Sequence, residues 1–360
     1  MIGMTRADRL IARPVLGATL LALAIFIGID ALSAFIREID EVGDGNYTLM
    51  MAVTYIAYTI PRRVYELFPM AAAIGAAMGL GGLAPTSELT ALRAAGWSKM
   101  RLCLGAMIPL MVVSALVVVI GETLGPWGER AAQGVAIGAK SQDLVTTNSS
   151  GIWVRDGEDL LNAKRGALIQ GDIELIDARL FRFDASGRLL SITRGDKARH
   201  EPGGWRFSTV HRFSFEPDAV ATESLPDWRW DVALNPALIA MSVIRPRYQA
   251  LLDLREHIRY LERNRLDASS FRSAFWARIF YPLSILATAL LAMPFAFSAL
   301  RSGGFGKRLF VGLVISIGFY YLQSAFVNMV ELADGPLPLG YLTPPSLALV
   351  GAWLWLRRSF

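Results

Sequence analysis

Side chains that could carry catalysis are few in this sequence, and their spacing suits no common catalytic or metal site. The three histidines are His200, His211 and His257, and none lies in an HExxH motif or another metal-ligand spacing. His211 falls among the apolar positions of an alternating segment, which favours a histidine buried in a core over a ligand. Cys103 is the single cysteine, so an intramolecular disulfide and a thiolate metal site are excluded.

A glycine-rich segment at 302–307 superficially resembles a phosphate-binding loop, because it reads Ser-Gly-Gly-Phe-Gly-Lys. A P-loop has a glycine five residues before its last glycine and a Ser or Thr after its lysine. Arg301 and Arg308 occupy those two positions here. The sequence also has no Gly-x-Ser-x-Gly nucleophile elbow. We therefore expect no catalytic site, no metal and no cofactor in this chain.

The distribution of charge indicates that the chain occupies two different environments. Only 19% of its 360 residues are charged and 53% are hydrophobic, whereas about 25% of a soluble protein is charged. Of the 36 Lys and Arg and the 31 Asp and Glu, 39 lie between positions 140 and 272. This composition argues against a disordered protein, a collagen and an ordinary soluble enzyme, and it separates a water-exposed middle from an apolar remainder.

Six long apolar segments predict six transmembrane helices. Five uncharged runs reach the ~20 residues that a bilayer-spanning helix needs, namely 67–87, 102–121, 279–300, 309–330 and 335–356. The sixth, 14–36, contains one charge and is longer than the apolar core of a signal peptide, so we interpret it as a retained helix. Pro344 and Pro345 leave the start of the last helix open, and its membrane part could begin near Pro345.

Two features inside the predicted spans go beyond hydrophobicity. Asp30 is the charge in the first segment, and two interpretations remain open, a functional intramembrane carboxylate or a residue near the outer interface. Gly75 and Gly79 form a Gly-x-x-x-Gly motif that Ala72 and Ala76 extend. Small residues let helices approach closely, so we predict a packing contact there.

Basic residues at one end of the spans orient the chain. The loops and termini at this end carry Arg6, Arg9, Arg13, Arg93, Lys99, Arg101, Arg301, Lys307, Arg308, Arg357 and Arg358. The opposite short loop carries more acids than bases, namely Glu38, Asp40, Glu41, Asp44 and Glu66 against Arg37, Arg62 and Arg63. By the positive-inside rule, both termini are cytoplasmic and the segment 122–275 is extracytoplasmic.

The extracytoplasmic segment has the alternation typical of β-strands. In 205–215, Trp, Phe, Thr, His, Phe and Phe alternate with Arg, Ser, Val, Arg and Ser. Glycine-rich turn signals at 185–187 and 202–204 separate such segments, which predicts a sandwich or jelly roll. From 248 to 266 the period becomes helical, with one apolar face formed by Leu251, Leu254, Ile258 and Leu261.

The predicted fold class is an α-helical membrane protein with six transmembrane helices and an inserted all-β, jelly-roll-like domain. Residues 1–139 hold the first three spans and a short cytoplasmic helix near 87–96. The β domain occupies 140–245, and an amphipathic connecting helix occupies 246–272. The last three spans lie in 273–360.

The short cytoplasmic helix has defined ends in the sequence. Ser87 is a favourable N-cap, Glu88 places negative charge at the helix N-terminus, and Gly96 is a favourable residue just past the C-terminus. Leu89 and Leu92 share one face, and a helix this short is marginal in water unless it docks on something. It could pack on its own membrane helices, but outward-facing leucines that insert into a partner explain the pattern better.

This segment, Ser-Glu-Leu-Thr-Ala-Leu-Arg-Ala-Ala-Gly, resembles the coupling-helix signature of the LptF/LptG family, the permease subunits of the lipopolysaccharide exporter. The likeness covers nearly the whole chain. Further matching elements follow in the family's order, at 10–14, 44–47, 69, 80–81, 121–122, 151–153, 276–283 and 357–358. The length and the proline-rich opening of the last helix resemble the LptG branch more than the LptF branch.

The resemblance implies an assembly and a division of labour. It implies a pseudosymmetric heterodimer with an LptF-like permease, two LptB-like ATPase subunits that hydrolyse ATP, and an LptC-like membrane protein. Lipopolysaccharide would be extracted from the inner membrane of a Gram-negative bacterium and passed to a periplasmic bridge, with the β domain periplasmic and no nucleic acid involved. The residues expected to couple to the ATPase are Ser87, Glu88, Leu89, Leu92, Arg93 and Gly96.

The resemblance also implies a lipid-binding face on two membrane helices. The expected wall residues are Phe26, Ile29 and Phe35 in the first span and Phe319, Leu322 and Phe326 in the fifth. The fifth-span face could instead pack on a neighbouring helix. LptG proteins tend to have lysines at the outer end of the first helix, where this chain has Ala34, Asp40 and Glu41. Arg37 is therefore the expected phosphate contact.

Two alternatives belong to other functional classes. The chain could be a membrane-anchored periplasmic enzyme, although it lacks a clustered set of acids, bases or metal ligands. It could also be a permease-like regulator that transmits a signal through its β domain. Co-purification distinguishes them, because a stoichiometric cytoplasmic ATPase supports transport.

Overall fold

The structure is a computed structural model, and it describes most of the chain. The described residues are 6–43, 47–83, 88–140, 152–156, 158–169, 172–184, 186–201, 203–215, 219–231, 245–264, 266–297 and 305–358. They form two compact units by their internal contacts. One unit comprises 1–33, 60–126 and 269–360, and the other comprises 34–59 and 127–268.

The six predicted membrane spans are confirmed, because the described residues contain six helices long and apolar enough to cross a bilayer. These are α1 (Arg6–Ile39), α2 (Leu49–Gly82), α4 (Lys99–Glu122), α7 (Ser269–Phe297), α8 (Phe305–Leu332) and α9 (Leu337–Arg358). Shorter α-helices in the described part of the chain include α3 (Glu88–Ala94), α5 (Leu124–Lys140) and α6 (Leu251–Arg263).

One predicted boundary is wrong, and one that the sequence left open is now defined. The loop between the first two spans is shorter than predicted, because α2 begins at Leu49 and includes Arg62, Arg63 and Glu66. The last helix begins at Leu337, so Pro344 and Pro345 lie inside it. Membrane helices tolerate internal proline because neighbouring groups can satisfy the freed backbone carbonyl.

The Gly-x-x-x-Gly motif packs α2 against α1, as predicted. A Cβ atom at Gly75 would overlap Thr19, and one at Gly79 would overlap the backbone of Val15. The flanking alanines of the motif are fully buried. Cys103 lies in the same helical core with no exposed area, where it packs as a small apolar residue.

The inserted all-β region is confirmed. Its strands are β1 (Ile152–Asp156), β2 (Asp159–Ile169), β3 (Asp172–Phe183), β4 (Leu189–Glu201), β5 (Gly204–Phe215) and β6 (Val220–Trp230). They form one antiparallel sheet in which consecutive strands are neighbours, without the crossing connections of a jelly roll among these strands. Gly187 and Gly203 have φ angles of +82° and +89°, which explains the glycines in the two predicted turns.

One row of residues interrupts the regular pairing across five strands. The row consists of Lys164, Asp177, Asp196, Thr209 and Pro226, each lying between residues that pair regularly. Asp177 and Thr209 have φ angles of 49° and 52°, which L-residues seldom adopt in a strand. The alternation of faces shifts by one residue at this row, so Phe207 and Val210 are both buried although they are three residues apart.

The shift overturns the prediction for His211. The sequence pattern places it with the buried set of its strand, but its side chain is exposed and its Nδ1 lies 3.0 Å from Ser224 Oγ. Val210 occupies the core instead, at 1% exposure. The positive φ of Thr209 is the cause, because it moves every later residue of β5 to the other face.

Helix α6 confirms the predicted amphipathic segment between the sheet and α7. Leu254 is fully buried, and Tyr260 packs against the core of the sheet. His257 is buried as well, and its Nδ1 lies 2.7 Å from Gln249 Oε1. Burial lowers the pKa of His257 below the ordinary value of 6.5.

Candidate functional site

The short helix α3 is anchored to its own chain. Leu89 is 6% exposed and belongs to the core of the helical unit, and Leu92 and Trp97 are half-buried against the same core. The prediction that both leucines face outward is therefore wrong for Leu89. The alternative that this helix packs on its own membrane helices explains that side chain, because a seven-residue helix needs tertiary packing to persist.

The C-terminus of α3 has the geometry that its glycine predicts. Gly96 has a φ of +88°. Its N–H donates to the Arg93 carbonyl at 3.0 Å, and the Trp97 N–H donates to the Leu92 carbonyl at 3.1 Å. This is a Schellman motif, and it turns the chain so that Trp97 packs on the same core as Leu92. The predicted N-cap, Ser87, lies outside the described residues.

The remaining face of α3 is exposed. The exposed residues are Thr90, Ala91, Arg93, Ala94, Ala95 and Gly96, and Glu88 is half-exposed. Most of these side chains are small, and Arg93 supplies one positive charge. A partner could therefore approach this backbone closely and place an acidic group on Arg93. The exposed surface of α3 is this face of small residues around Arg93, and Leu89 anchors the helix from the buried side.

Next to α3, an ion pair joins the first and third membrane helices. Arg101 Nη2 lies 2.8 Å from one carboxylate oxygen of Asp8 and 3.0 Å from the other. The Asp8 side chain is 4% exposed. The Arg101 guanidinium also lies over the Trp97 ring, 4.6 Å from its centroid.

Asp30 forms an ion pair with Arg63 of α2. The side chain of Asp30 is 46% exposed, whereas that of Arg63 is 3% exposed. Neither interpretation of Asp30 included this ion pair, which holds the carboxylate against a partner inside the chain. Sequence reasoning missed this because it placed Arg63 in a loop rather than in α2.

A third pair joins α4 to α7. Arg278 Nη1 lies 2.5 Å from Glu122 Oε1 and donates to the Gly121 carbonyl at 3.1 Å. Its guanidinium also lies 5.2 Å from the centroid of the Tyr65 ring, which stacks on Tyr281 at 3.9 Å. The family-like motifs at 121–122 and 276–283 are therefore in contact, although they are separated by more than 150 residues in the sequence.

The lipid-face residues predicted in α1 differ in how far their side chains are exposed. Ile29 is 59% exposed, Phe35 is half-buried, and Phe26 packs against the helical core. Ile29 lies in an exposed apolar face that continues with Ile25, Leu32 and Ile36. Arg37 is exposed at the end of this helix, and within the described ranges it has no ion-pair partner.

The face predicted in α8 is only partly exposed. Leu322 is 51% exposed and Phe326 is half-buried, but Phe319 is 7% exposed and packs inside the chain. Phe319 is therefore covered within the chain and does not contribute to the exposed part of this face. Tyr320 and Tyr321, which the sequence analysis did not single out, are 64% and 66% exposed.

Comparison with known proteins gives a full-length match. The family model described as lipopolysaccharide export system permease LptF/LptG matches residues 9–358. The chain is 28% identical over 354 residues to the lipopolysaccharide export system permease protein LptG of Haemophilus influenzae, which covers 98% of both chains. LptG of Escherichia coli K12 is 28% identical over 356 residues, again 98% of both chains. LptF of the same E. coli strain is 28% identical over 162 residues, 42% of this chain and 44% of that one.

Proposed function

The chain belongs to the LptF/LptG family of lipopolysaccharide export permeases, and from this premise we propose the assembly and the transport step in which it takes part. It is a transport subunit rather than a catalyst, and it is a multi-pass protein of the inner membrane. Its likeness to LptG proteins extends over the whole chain, and its likeness to LptF over less than half. We propose that an LptF-like permease is its heterodimer partner.

The energy for transport comes from a partner ATPase of the LptB kind, which is present in two copies per heterodimer. Helix α3 is the docking site that this chain provides. The observation that carries this proposal is the exposed face of a short helix that the chain itself holds rigidly through Leu89. A helix fixed in this way can transmit the movement of a docked partner to the rest of the chain. Arg93 contacts the ATPase, Glu88 lies at the rim of the contact, and Leu92 supports the helix from the half-buried side.

The transported lipid lies against the exposed apolar faces of α1 and α8. Extraction of a multi-chain lipid costs tens of kcal/mol, at about 0.8 kcal/mol per CH₂ group removed from apolar surroundings. A cavity lined by Ile29, Leu322 and Phe326 lowers this cost, because it replaces one apolar environment with another. Arg37 binds a lipid phosphate bidentately at the outer end of α1. An LptC-like protein contributes a further membrane helix to this assembly.

The sheet is periplasmic and both termini are cytoplasmic. The basic ends of the spans support this orientation by the positive-inside rule. Cysteines at Ala94 and Val220, both exposed, are expected to react with impermeant maleimide from opposite sides of the membrane. The native Cys103 has no exposed area, so it leaves the background low. Reaction of both positions from the periplasm would contradict the orientation.

Purification of the complex from detergent tests the proposed function. Mass spectrometry of the complex is expected to find an LptF-like permease, two ATPase copies and bound lipopolysaccharide. Arg93→Glu is expected to lower the recovered ATPase about tenfold, because it reverses the charge at the docking face. Arg188→Glu is the matched control, since that side chain is 77% exposed in the turn between β3 and β4. An ATPase absent from the wild-type complex would support the regulator or the enzyme instead.

Leu322→Arg tests the lipid face. A charge at this position costs about 2.5–3.5 kcal/mol in an apolar membrane environment. We expect the complex to assemble with its ATPase and to lose most of its lipopolysaccharide transport. Phe319→Leu, at a covered position of the same helix, is the matched control and should transport normally. Normal transport by Leu322→Arg would remove α8 from the lipid path.

A further inference from the structure

We propose that Asp8 is a positioning residue that transmits movement of α3 to α1 through Arg101. The inference rests on the proposed docking of an ATPase on α3. Docking alone moves only a seven-residue helix, and transport requires that the movement reach the helices that contact the lipid. The contacts around Asp8 supply a direct connection, formed entirely within the helical unit.

The connection begins at the end of α3. The Schellman motif at Gly96 fixes the direction of Trp97, whose ring lies 4.6 Å from the Arg101 guanidinium. Ser98 caps the next helix by accepting from the Arg101 N–H at 3.2 Å, so Arg101 starts from a fixed backbone position in α4. A displacement of α3 therefore moves Trp97 and the first turn of α4 together.

Arg101 then connects this turn to α1. Both oxygens of the Asp8 carboxylate lie within 3.0 Å of Arg101 Nη2. Asp8 is 3% exposed, and removal of its cation would leave a buried charge without this compensation. The pair therefore opposes sliding of α4 past α1, because such a movement would have to break the ion pair at a cost in free energy.

Close packing reinforces the pair. A Cβ atom at Gly105 of α4 would lie 3.3 Å from Ile11 Cδ1 and 3.4 Å from Asp8 Oδ1, so the two helices approach closely there. Ile11 and Leu89 belong to the same buried core. The start of α1, the start of α4 and the inner face of α3 thus form one block, with Asp8 as the polar contact at its centre.

Helix α1 carries the movement to the proposed lipid face. It is unbroken from Arg6 to Ile39, and Ile29 lies 21 residues beyond Asp8. At 1.5 Å per residue this is about 32 Å along the helix axis. A shift or rotation imposed at Asp8 by the nucleotide cycle of the ATPase would therefore displace the exposed face around Ile29.

The test measures lipopolysaccharide transported per ATP hydrolysed, in proteoliposomes that contain the full complex. Asp8→Asn keeps the side-chain shape and removes the charge. We expect it to retain the full complement of ATPase and its hydrolysis, while transport per ATP falls about tenfold. Asp8→Glu keeps a carboxylate and should recover part of the coupling. The exchange Asp8→Arg with Arg101→Asp should recover more transport than either single substitution.

Arg9→Gln is the matched control, because Arg9 is the exposed neighbour of Asp8 in α1. It should leave both hydrolysis and transport unchanged. If Asp8→Asn prevents assembly, Arg101→Gln applies the same test from the more exposed side of the pair. Wild-type transport per ATP in Asp8→Asn or Arg101→Gln would overturn the inference. A wild-type complex without ATPase would instead overturn the proposed function, so the two failures are distinguishable.

Discussion

Charged residues are used differently in the helical unit and in the sheet. In the described part of the helical unit, the ion pairs of Asp8, Arg63 and Arg278 each join different helices. These three side chains are almost fully buried, with exposures of 4%, 3% and 6%. On the sheet, a typical pair such as Arg194 with Asp177 has side-chain exposures of 50% and 19%. The buried pairs therefore fix which helices are neighbours, whereas the exposed pairs cover a fold that apolar packing already determines.

The energetic difference between the two kinds of pair is large. Removal of one partner from a buried pair costs about 3–5 kcal/mol, because a charge remains in an apolar environment. An exposed pair contributes about 0–1 kcal/mol, because water screens both charges. Substitutions in the two units should therefore differ several-fold in their effect on stability.

The largest effect is expected for Glu122→Ala in the helical unit. This substitution leaves Arg278 buried without the carboxylate of Glu122. We expect the free energy of unfolding to fall by about 3–5 kcal/mol. Thermal unfolding of the detergent-purified complex would measure it. The double substitution Glu122→Ala with Arg278→Met removes both charges and should recover most of the loss. Equal destabilisation by the single and double substitutions would show that the charge is not the reason.

A smaller effect is expected where the helices pack through glycine. Gly79→Ala places a Cβ against the backbone of Val15, and overpacking of this kind costs about 1–3 kcal/mol. Gly28→Ala is the matched control, since no atom lies within 4 Å of the added Cβ. The unfolding temperatures of the two variants should differ clearly. Equal temperatures would contradict the close approach of α1 and α2.

An intermediate effect on stability is expected for substitution of Glu174, because its side chain is 4% exposed although it lies in the sheet. Lys197 and Arg199 lie 2.8 Å and 2.7 Å from its carboxylate. Their hydrogen bonds, that of Lys197 first, hold the pKa of Glu174 below its ordinary value of 4.5. We expect Glu174→Gln to cost about 1–2 kcal/mol at neutral pH, measured by hydrogen exchange of β3 and β4.

The pH dependence of this contribution follows from the lowered pKa of Glu174. The stabilisation is fully present above 4.5 and is lost as the pH falls through the lower pKa of the folded protein. Hydrogen exchange in wild type and Glu174→Gln should therefore differ at pH 7 and converge in strong acid. A constant difference across this range would contradict the ion-pair explanation.

The smallest effect is expected for Arg194→Ala. Its partner Asp177 keeps a second cation, Arg179, at 3.2 Å, and all the groups remain accessible to water. Exposed pairs contribute about 0–1 kcal/mol, and we expect a value near the lower limit. The same hydrogen-exchange measurement applies. A loss as large as that of Glu122→Ala would remove the distinction between the two units.

The features predictable from sequence are those that depend on neighbours along the chain. Long apolar runs located all six spans, and Gly96 predicted the end of α3 correctly. Ion pairs such as Asp30 with Arg63 and Glu122 with Arg278 depend on tertiary neighbours, which local patterns do not specify. These ion pairs could be identified only from the structure.

Errors about side-chain direction have the same origin. Leu89 and Phe319 were expected to be exposed, but both are buried, and Leu89 belongs to a core built from helices distant in the sequence. His211 was expected to be buried, and the positive φ of Thr209 places it on the other face of the sheet. The sequence around Thr209 has no glycine that would signal this distortion, although Pro226 in the adjacent strand lies in the same row.

Transport by the reconstituted complex is the most direct test of the proposed function. Proteoliposomes would contain this chain, its permease partner, the ATPase and lipopolysaccharide, and the release of lipopolysaccharide to a soluble acceptor would be measured with and without ATP. We expect ATP-dependent release from the wild-type complex, and little release when Arg93→Glu weakens ATPase docking. A complete complex that hydrolyses ATP and releases no more lipopolysaccharide than its ATP-free control would contradict it.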